Sequence, residues 1–571
     1  MQLTSSSDRR IGMLGMLLCV FCLAYFYVLD YVILSSASFT QIFQTLLVDY
    51  DTKTAWLSAG VCLFAALWSR PAPILRLVDL LGRNPRVVSL VGMMAFALGA
   101  VFIYQNYPLC MDEYAAVFQS KVFASGQVFA QLPASVVNWL VVPGFNGSFL
   151  VASPDTGRAI EGYWPGYALL LAPFQFLGVP WLCNATLAGL AIFLVHQITF
   201  HITGNRRAAG WAALFTVGSS AFWANAISYY SMQAHLTANL LFAWLLLRPG
   251  RTRSLAAGLV GSLALVLHNP FPHVLFAAPW LMATAVNRDT RRYLLPLLLG
   301  YLPGLALGVG WLLLRADIGQ AAQDPSAISG MVSVVFEWPG AVLLNMRAAS
   351  IVKMWVWALP CLFAFALLGR LRYRDNRHVR LLTQSAALTF VGYFFVKLDQ
   401  GHGWGYRYFH SAWGVIPVLA ACAMGGNQEE DPRLVSFAGA AAILSLLIIV
   451  PFQMSQIEGI ITRHIALIPK PKRPGNNVYF IQPGGGLYIA DAIQLDPLLR
   501  SQDLLLASRG SDLNAELVRQ NWPDAVKSGG VPWVEQWYLG PIDQRVSIPA
   551  TRHQKRFVLH FRHASQPPDA R

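Results

Sequence analysis

Apolar runs of roughly 17 to 25 residues recur along most of this chain, each long enough to cross a bilayer as a helix. They lie at 12–35, 54–69, 87–105, 182–202, 208–228, 231–247, 254–270, 272–287, 293–316, 350–369, 381–398, 409–425 and 434–453. The pattern predicts about thirteen transmembrane helices. Between the runs, basic clusters alternate with longer polar loops. Arg9-Arg10, Arg70 to Arg86, Arg206-Arg207, Arg248 to Arg253, Arg288 to Arg292 and Arg370 to Arg380 all fall on one side if the spans alternate. By the positive-inside rule that side is the cytoplasm. Only Glu429-Glu430-Asp431 breaks the rule, and Arg433 follows it.

Three regions then face outward. The loop 106–181 holds an amphipathic-looking stretch, Tyr114 to Ala124, and an interfacial one, Trp164 to Leu177. The loop 317–349 is the second. The third begins near Ser455, where the composition turns polar and rich in Pro and Gly, with short β-like runs such as Val478 to Ile481 and Phe557 to Phe561. The expected fold is therefore an all-α polytopic membrane protein with a small extracytoplasmic C-terminal α/β or β-rich domain. Its expected divisions are residues 1–86 (two N-terminal transmembrane helices and a cytoplasmic loop), 87–454 (a transmembrane core) and 455–571 (the C-terminal domain). The first run, Ile11 to Ser35, is longer than a signal-peptide core and reads as an uncleaved anchor with a cytoplasmic N-terminus.

Composition agrees with the pattern. Of 571 residues, 55% are hydrophobic and 12% charged, against about 25% charged in soluble domains. The net charge of +14 comes largely from Arg in short loops, where it sets orientation, so nucleic acid is not an expected partner. The seven Cys show neither zinc spacing nor a disulfide framework.

Chemistry gathers on the outer side. Asp112 and Glu113 follow the span 87–105 and open the first outer loop. Two carboxylates at the mouth of a bilayer are costly without a cation or a task, although such a pair can also cap a helix. His235 lies at the outer start of another span, and His268 and His273 flank an outer turn. Lys397, Asp399, His402, Tyr406, Arg407 and His410 crowd one further segment. Together these residues predict a polar cavity at the outer membrane boundary. A phosphate is a good partner for Arg407 there, with Lys397 beside it. Asp112 would be a general base that takes a proton from an acceptor hydroxyl. A metal site of His235 and His273 with either carboxylate has no diagnostic spacing. No metal ligand is assigned, and a divalent cation is left open. Gly484-Gly485-Gly486 lacks the Lys and Ser/Thr of a phosphate loop and reads as a turn.

The run from Asp112-Glu113-Tyr114 through Gln119-Ser120-Lys121-Val122-Phe123-Ala124-Ser125-Gly126 resembles the first outer loop of GT-C fold glycosyltransferases. The group it resembles is the family-39-like one, which includes protein O-mannosyltransferases and the aminoarabinose transferase of lipid A. Trp164-Pro165-Gly166-Tyr167-Ala168-Leu169-Leu170 is similar to the segment that follows in that group, and Gly403-Trp404-Gly405-Tyr406-Arg407-Tyr408 to its Gly-Trp…Arg-Tyr loop. The tail around Asp496-Pro497 and Asp512-Leu513-Asn514 to Trp522-Pro523 also looks like such proteins.

The resemblance covers about residues 87 to 540. It implies a GT-C-like core, Asp112 as catalytic base, Glu113 as its supporter, and Arg407 as lipid-phosphate ligand. Lys397, His235, His273, His402 and Tyr406 are further substrate-binding candidates. Gln233 and His235 stand where some members carry a second acid. The expected reaction moves a hexosyl or pentosyl group from a polyprenyl-phosphate sugar to a hydroxyl of an envelope glycan, lipid or protein, on the outer face of the cytoplasmic membrane. Membrane lipids are the other expected partners. The alternative is a transporter or flippase of a lipid-linked glycan.

Overall fold

The computed structural model describes residues 20, 22–24, 27, 44–68, 70–319, 338, 340–396, 402–425, 431–471, 474–485, 488–501, 503–541, 546–548 and 557–559. Most of the expected first span, 12–35, lies outside the described residues, as do Lys397 and most of the loop 317–349. The chain forms two compact units. One comprises 1–106, 181–307 and 326–458; the other comprises 107–180, 308–325 and 459–571.

The first unit is helical. Four helices in the described chain are long and apolar enough to cross a membrane: Pro85–Phe102, Leu182–Thr203, Arg291–Gly319 and Pro432–Ile465. The third and fourth of these run on into the second unit. The other expected spans coincide with shorter helices, such as Met232–Leu246, Arg251–Val266 and Phe271–Val286. The expected span 208–228 is two helices, Arg206–Val217 and Ser220–Ile227. The break falls at Gly218-Ser219, where the Ser219 hydroxyl bonds back to the Phe215 carbonyl at 3.0 Å. A hydroxyl that competes for helical carbonyls bends or ends a helix. About thirteen full-length spans are therefore not what the described residues present.

The basic stretch from Arg70 also differs from a plain loop. Pro71–Arg83 is a helix that turns by 111° from Asp49–Leu67. Its buried positions are Ile74, Val78 and Gly82, spaced four apart on one stripe. That stripe packs on Arg206–Val217, where a Cβ on Gly210 would come within 2.1 Å of the Val78 carbonyl oxygen. Beside it Arg207 grips Asp79 with two bonds, of 2.7 and 2.9 Å.

Inside the helical unit, Lys353 Nζ meets Asp51 Oδ2 at 2.7 Å with both side chains fully buried. The Trp357 indole donates to the other Asp51 oxygen at 2.7 Å. Two buried charges and a neutral donor thus satisfy one another, the condition for such a pair in an apolar interior.

The second unit joins the loop 107–180 and residues 308–325 to the C-terminal segment. After Met111–Ala124 comes a small antiparallel sheet in the order Ala130–Gln131, Arg158–Glu161, Leu150–Ala152. The C-terminal segment carries a four-stranded sheet in the order Asp503–Ala507, Asn476–Ile481, Val534–Gly540, Val526–Val531. Its first two strands are parallel and the rest antiparallel, with the helix Ser511–Asn521 following the strand Asp503–Ala507. This is an α/β arrangement. The expected division at 454/455 places the outer loop with the transmembrane core, whereas one apolar core here spans both segments. Tyr114, Phe118, Leu132, Val137 and Leu150 from the loop share it with Val478, Phe480, Leu504, Leu506 and Val518.

Candidate active site

Cys110 is the N-cap of the helix Met111–Ala124, in extended conformation at φ −132°. The first N–H groups of any helix lack partners within it and attract anions. Three side-chain acids answer that demand or stand beside it, and they do so differently.

Glu113 is wholly buried. Its Oε2 reaches back and accepts the N–H of Leu109, one residue before the N-cap, at 2.9 Å. Asp491 is also buried. It sits on the short 3₁₀ turn Ile489–Ala492, and its Oδ1 accepts the Met111 N–H at 2.7 Å. Asp112, on the helical position between those two contacts, is half-buried. It accepts a 2.5 Å hydrogen bond from the Tyr163 hydroxyl. Glu113 is therefore held by backbone, while Asp112 keeps partial access to solvent and is oriented by a phenol.

Tyr163 is braced from behind. Its carbonyl accepts from the Trp311 indole at 2.7 Å. The Arg315 guanidinium donates to the carbonyls of Gly162 and Gly147, both at 2.7 Å. On the other flank, His464 Nε2 donates to the Tyr488 carbonyl at 2.7 Å. That leaves Nδ1 to accept from the Tyr107 hydroxyl at 3.0 Å. Gln494 donates to the Pro108 carbonyl at 2.6 Å and to the Asp491 carbonyl at 3.1 Å. The Tyr114 hydroxyl donates to the Leu495 carbonyl. The turn bearing Asp491 is thus tied to the helix by several bonds.

Burial dominates the electrostatics. It raises the Asp491 carboxyl from 3.8 to about 7; the Met111 N–H opposes the shift and the charge of Asp112 adds to it. Burial, then the charges of Asp491 and Glu113, push the Tyr107 hydroxyl upward. Glu161, on the strand before Tyr163, is raised well above the ordinary range by burial alone.

The remaining expected site residues belong to the helical unit. Arg407 is buried, and its guanidinium lies over the Tyr230 ring, 4.5 Å from the centroid. It opens the short helix Arg407–His410 after a tight hairpin in which His402 pairs with Tyr406. Gly405 turns that hairpin at φ +74°, where a Cβ would also press on Ala221 at 3.2 Å. Tyr406 is buried, with its ring edge-on to Tyr408.

His273 is satisfied on both nitrogens, by Asn239 Oδ1 and the Tyr301 hydroxyl, each at 2.7 Å. It reads as a structural residue of its helix bundle. His235 is buried with neither ring nitrogen hydrogen-bonded among the described residues. His410, not Gln233's neighbour in sequence, meets Gln233 Oε1 at 3.3 Å. Among the described residues no group of three or more His, Cys, Asp or Glu is placed to hold a metal ion.

The chain is similar to solved structures of ArnT from Cupriavidus metallidurans. Against ArnT bound to undecaprenyl phosphate the identity is 13%, over 78% of this chain and 97% of that one, with a TM-score of 0.47. Against apo ArnT the TM-score is 0.45 at the same identity and coverage. Against the apo oligosaccharyltransferase of Archaeoglobus fulgidus the identity is 14%, over 65% of this chain and 56% of that one, with a TM-score of 0.41. These proteins are GT-C fold glycosyltransferases. No family model matches the sequence, and no curated protein matches it.

Tyr163 and Asp491 escaped the sequence reading. Tyr163 stands beside Trp164, in the segment read as interfacial, and nothing in the pattern marks its hydroxyl. Asp491 is a single acid among Ile489, Ala490, Ala492 and Ile493. Its only signal is a charge inside an apolar stretch.

Proposed function

We propose that the protein is a membrane glycosyltransferase. It moves a sugar from a polyprenyl-phosphate donor to an acceptor hydroxyl on the outer face of the cytoplasmic membrane. The observation that carries this reading is the unequal treatment of neighbouring carboxylates. Glu113 is wholly buried and its Oε2 accepts the Leu109 N–H, whereas Asp112 is half-buried and aimed by Tyr163. A general base needs both orientation and access to the proton it removes.

In the reaction, Asp112 takes the proton of the acceptor hydroxyl as that oxygen attacks the anomeric carbon. The bond from sugar to phosphate breaks, and its electrons leave with the polyprenyl phosphate. A phosphate leaving group calls for charge stabilisation rather than protonation, so a second catalytic acid is not needed. Arg407 is the candidate phosphate ligand, with Lys397 in the same role from the sequence. The sugar, its hexose or pentose class, and the acceptor follow from the same assay.

The test is transfer of a labelled sugar from polyprenyl phosphate by purified protein in lipid. Loss of transfer in Asp112→Asn with folding intact supports the reading; wild-type rates in that variant remove the proposed base.

The buried Asp51–Lys353 pair is the observation nearest to a transporter, since intramembrane charges often mark translocation paths. Its full mutual satisfaction fits a structural clamp better. Flipping of a fluorescent lipid-linked glycan without any sugar transfer would favour the transporter.

A further inference from the structure

We propose that Asp491, from the C-terminal segment, is a positioning residue for Asp112: its carboxylate holds the first N–H of the helix that carries Asp112 and sets the charge beside it. This rests on the reading of Asp112 as general base.

The geometry has two parts. The first is mechanical. The Met111 N–H lies one residue before Asp112, and Asp491 accepts it at 2.7 Å. Gln494 ties the same turn to the Pro108 carbonyl. The direction in which Asp112 leaves the helix is therefore set by residues about 380 positions later in the chain. Displacement of a reacting group by about 1 Å can cost 10²-fold in rate.

The second part is electrostatic. A like charge nearby raises the basicity of a carboxylate, whereas a hydrogen bond donated to it lowers that basicity. Asp112 has the donor in Tyr163, and its own charge helps Asp491 keep a proton up to about pH 7, so Asp491 adds a second negative charge only above that. The titratable groups coupled to Asp491 among the described residues are Asp112 on the helix and Tyr107 just before it, and Glu113 acts on Tyr107 in turn. His464 closes the flank through the Tyr488 carbonyl, and the Asp491 N–H donates to that same carbonyl. No cation is ion-paired with Asp491 among the described residues. The helix N-terminus takes the place of a cation, as helix ends do for anions. Two carboxylates coupled in this way titrate as a pair.

Three proteins separate the two parts: wild type, Asp491→Asn and Asp491→Ala, each full length in lipid nanodiscs. Asn keeps an oxygen for the Met111 N–H and loses only the charge; Ala loses both. Carbodiimide labelling of Asp112, read by mass spectrometry across the acid-to-neutral range, follows its titration without needing turnover. The pH profile of sugar transfer follows it in the reaction.

In Asp491→Asn the transfer profile loses the inflection that ionisation of Asp491 gives wild type near pH 7, while the labelling midpoint of Asp112 and amide exchange at Met111 stay as in wild type. In Asp491→Ala that exchange rises about tenfold or more, the scale of one lost charge-assisted hydrogen bond, and transfer falls with it. Superposable transfer profiles across pH 7 in wild type and Asp491→Asn overturn the electrostatic role. Unchanged exchange in Asp491→Ala overturns the mechanical one. If wild type shows no transfer yet exchange at Met111 rises in Asp491→Ala, the hold on the helix stands and the transferase reading fails instead.

Discussion

The Tyr163 hydroxyl donates a 2.5 Å hydrogen bond to Oδ1 of Asp112 across 51 residues of chain. That contact singles out Asp112 from its neighbour and ties the helix Met111–Ala124 to the end of the small sheet. Because the bond favours the ionised form of Asp112, it keeps the carboxylate ready as a base and limits its strength.

Asp112→Asn should lower transfer by about 10²- to 10⁴-fold, the usual contribution of a general base. Tyr163→Phe should lower it by roughly 10- to 100-fold, the size of one hydrogen bond to a charged group. Without the phenol the carboxylate binds its proton more tightly, so the acid limb of the pH profile should move upward in Tyr163→Phe. Initial rates in both variants, with melting temperatures alongside, check this.

Glu113→Gln should be the mild change of the pair. Its amide oxygen can still accept the Leu109 N–H, so fold and transfer should survive. Glu113→Ala should cost about 1 kcal/mol of stability, as loss of a helix cap does. Thermal melts of the two variants measure the difference.

Asp491 should make stability depend on pH. Its folded value of about 7 lies above the ordinary 3.8, so the native state binds this proton more tightly than the unfolded chain. The associated stability is present below 3.8 and is lost as pH rises through about 7. Asp491→Asn, which has no proton to lose, should therefore gain stability relative to wild type over that window. Melting temperatures of both proteins at a series of pH values would show the gap widening; a constant gap contradicts it.

Lys353→Met should destabilise the helical unit by roughly 3–5 kcal/mol, because it strands the Asp51 charge in an apolar interior. Pairing it with Asp51→Leu should recover much of that loss, since neither charge is then buried alone. Detergent-solubilised melts of the two single variants and the double variant form the cycle.

Much of the architecture was legible in the chain. The run 87–105 became the helix Pro85–Phe102, and 182–202 became Leu182–Thr203. The amphipathic stretch Tyr114 to Ala124 is most of the helix Met111–Ala124. The strand at Val478 to Ile481 is part of Asn476–Ile481. The break at Gly218-Ser219 was not legible, since hydropathy averages over a kink that one hydroxyl makes. Nor was the helix Pro71–Arg83, whose Arg residues hide a buried stripe only four residues in period.

Of the candidate site, the sequence by itself determined that Asp112 and Glu113 open a polar loop at the end of an apolar span. Local pattern suffices for that, because bilayer length and charge cost are read along the chain. It could not tell the two carboxylates apart. The bond from Glu113 to the Leu109 N–H is local, four residues along the chain; only tertiary structure decided that Tyr163 aims Asp112 and that Asp491 joins it from the C-terminal segment. Those contacts link residues 51 and 380 positions apart, and hydrogen bonds at such separations follow from how a shared core is packed, which no periodicity records.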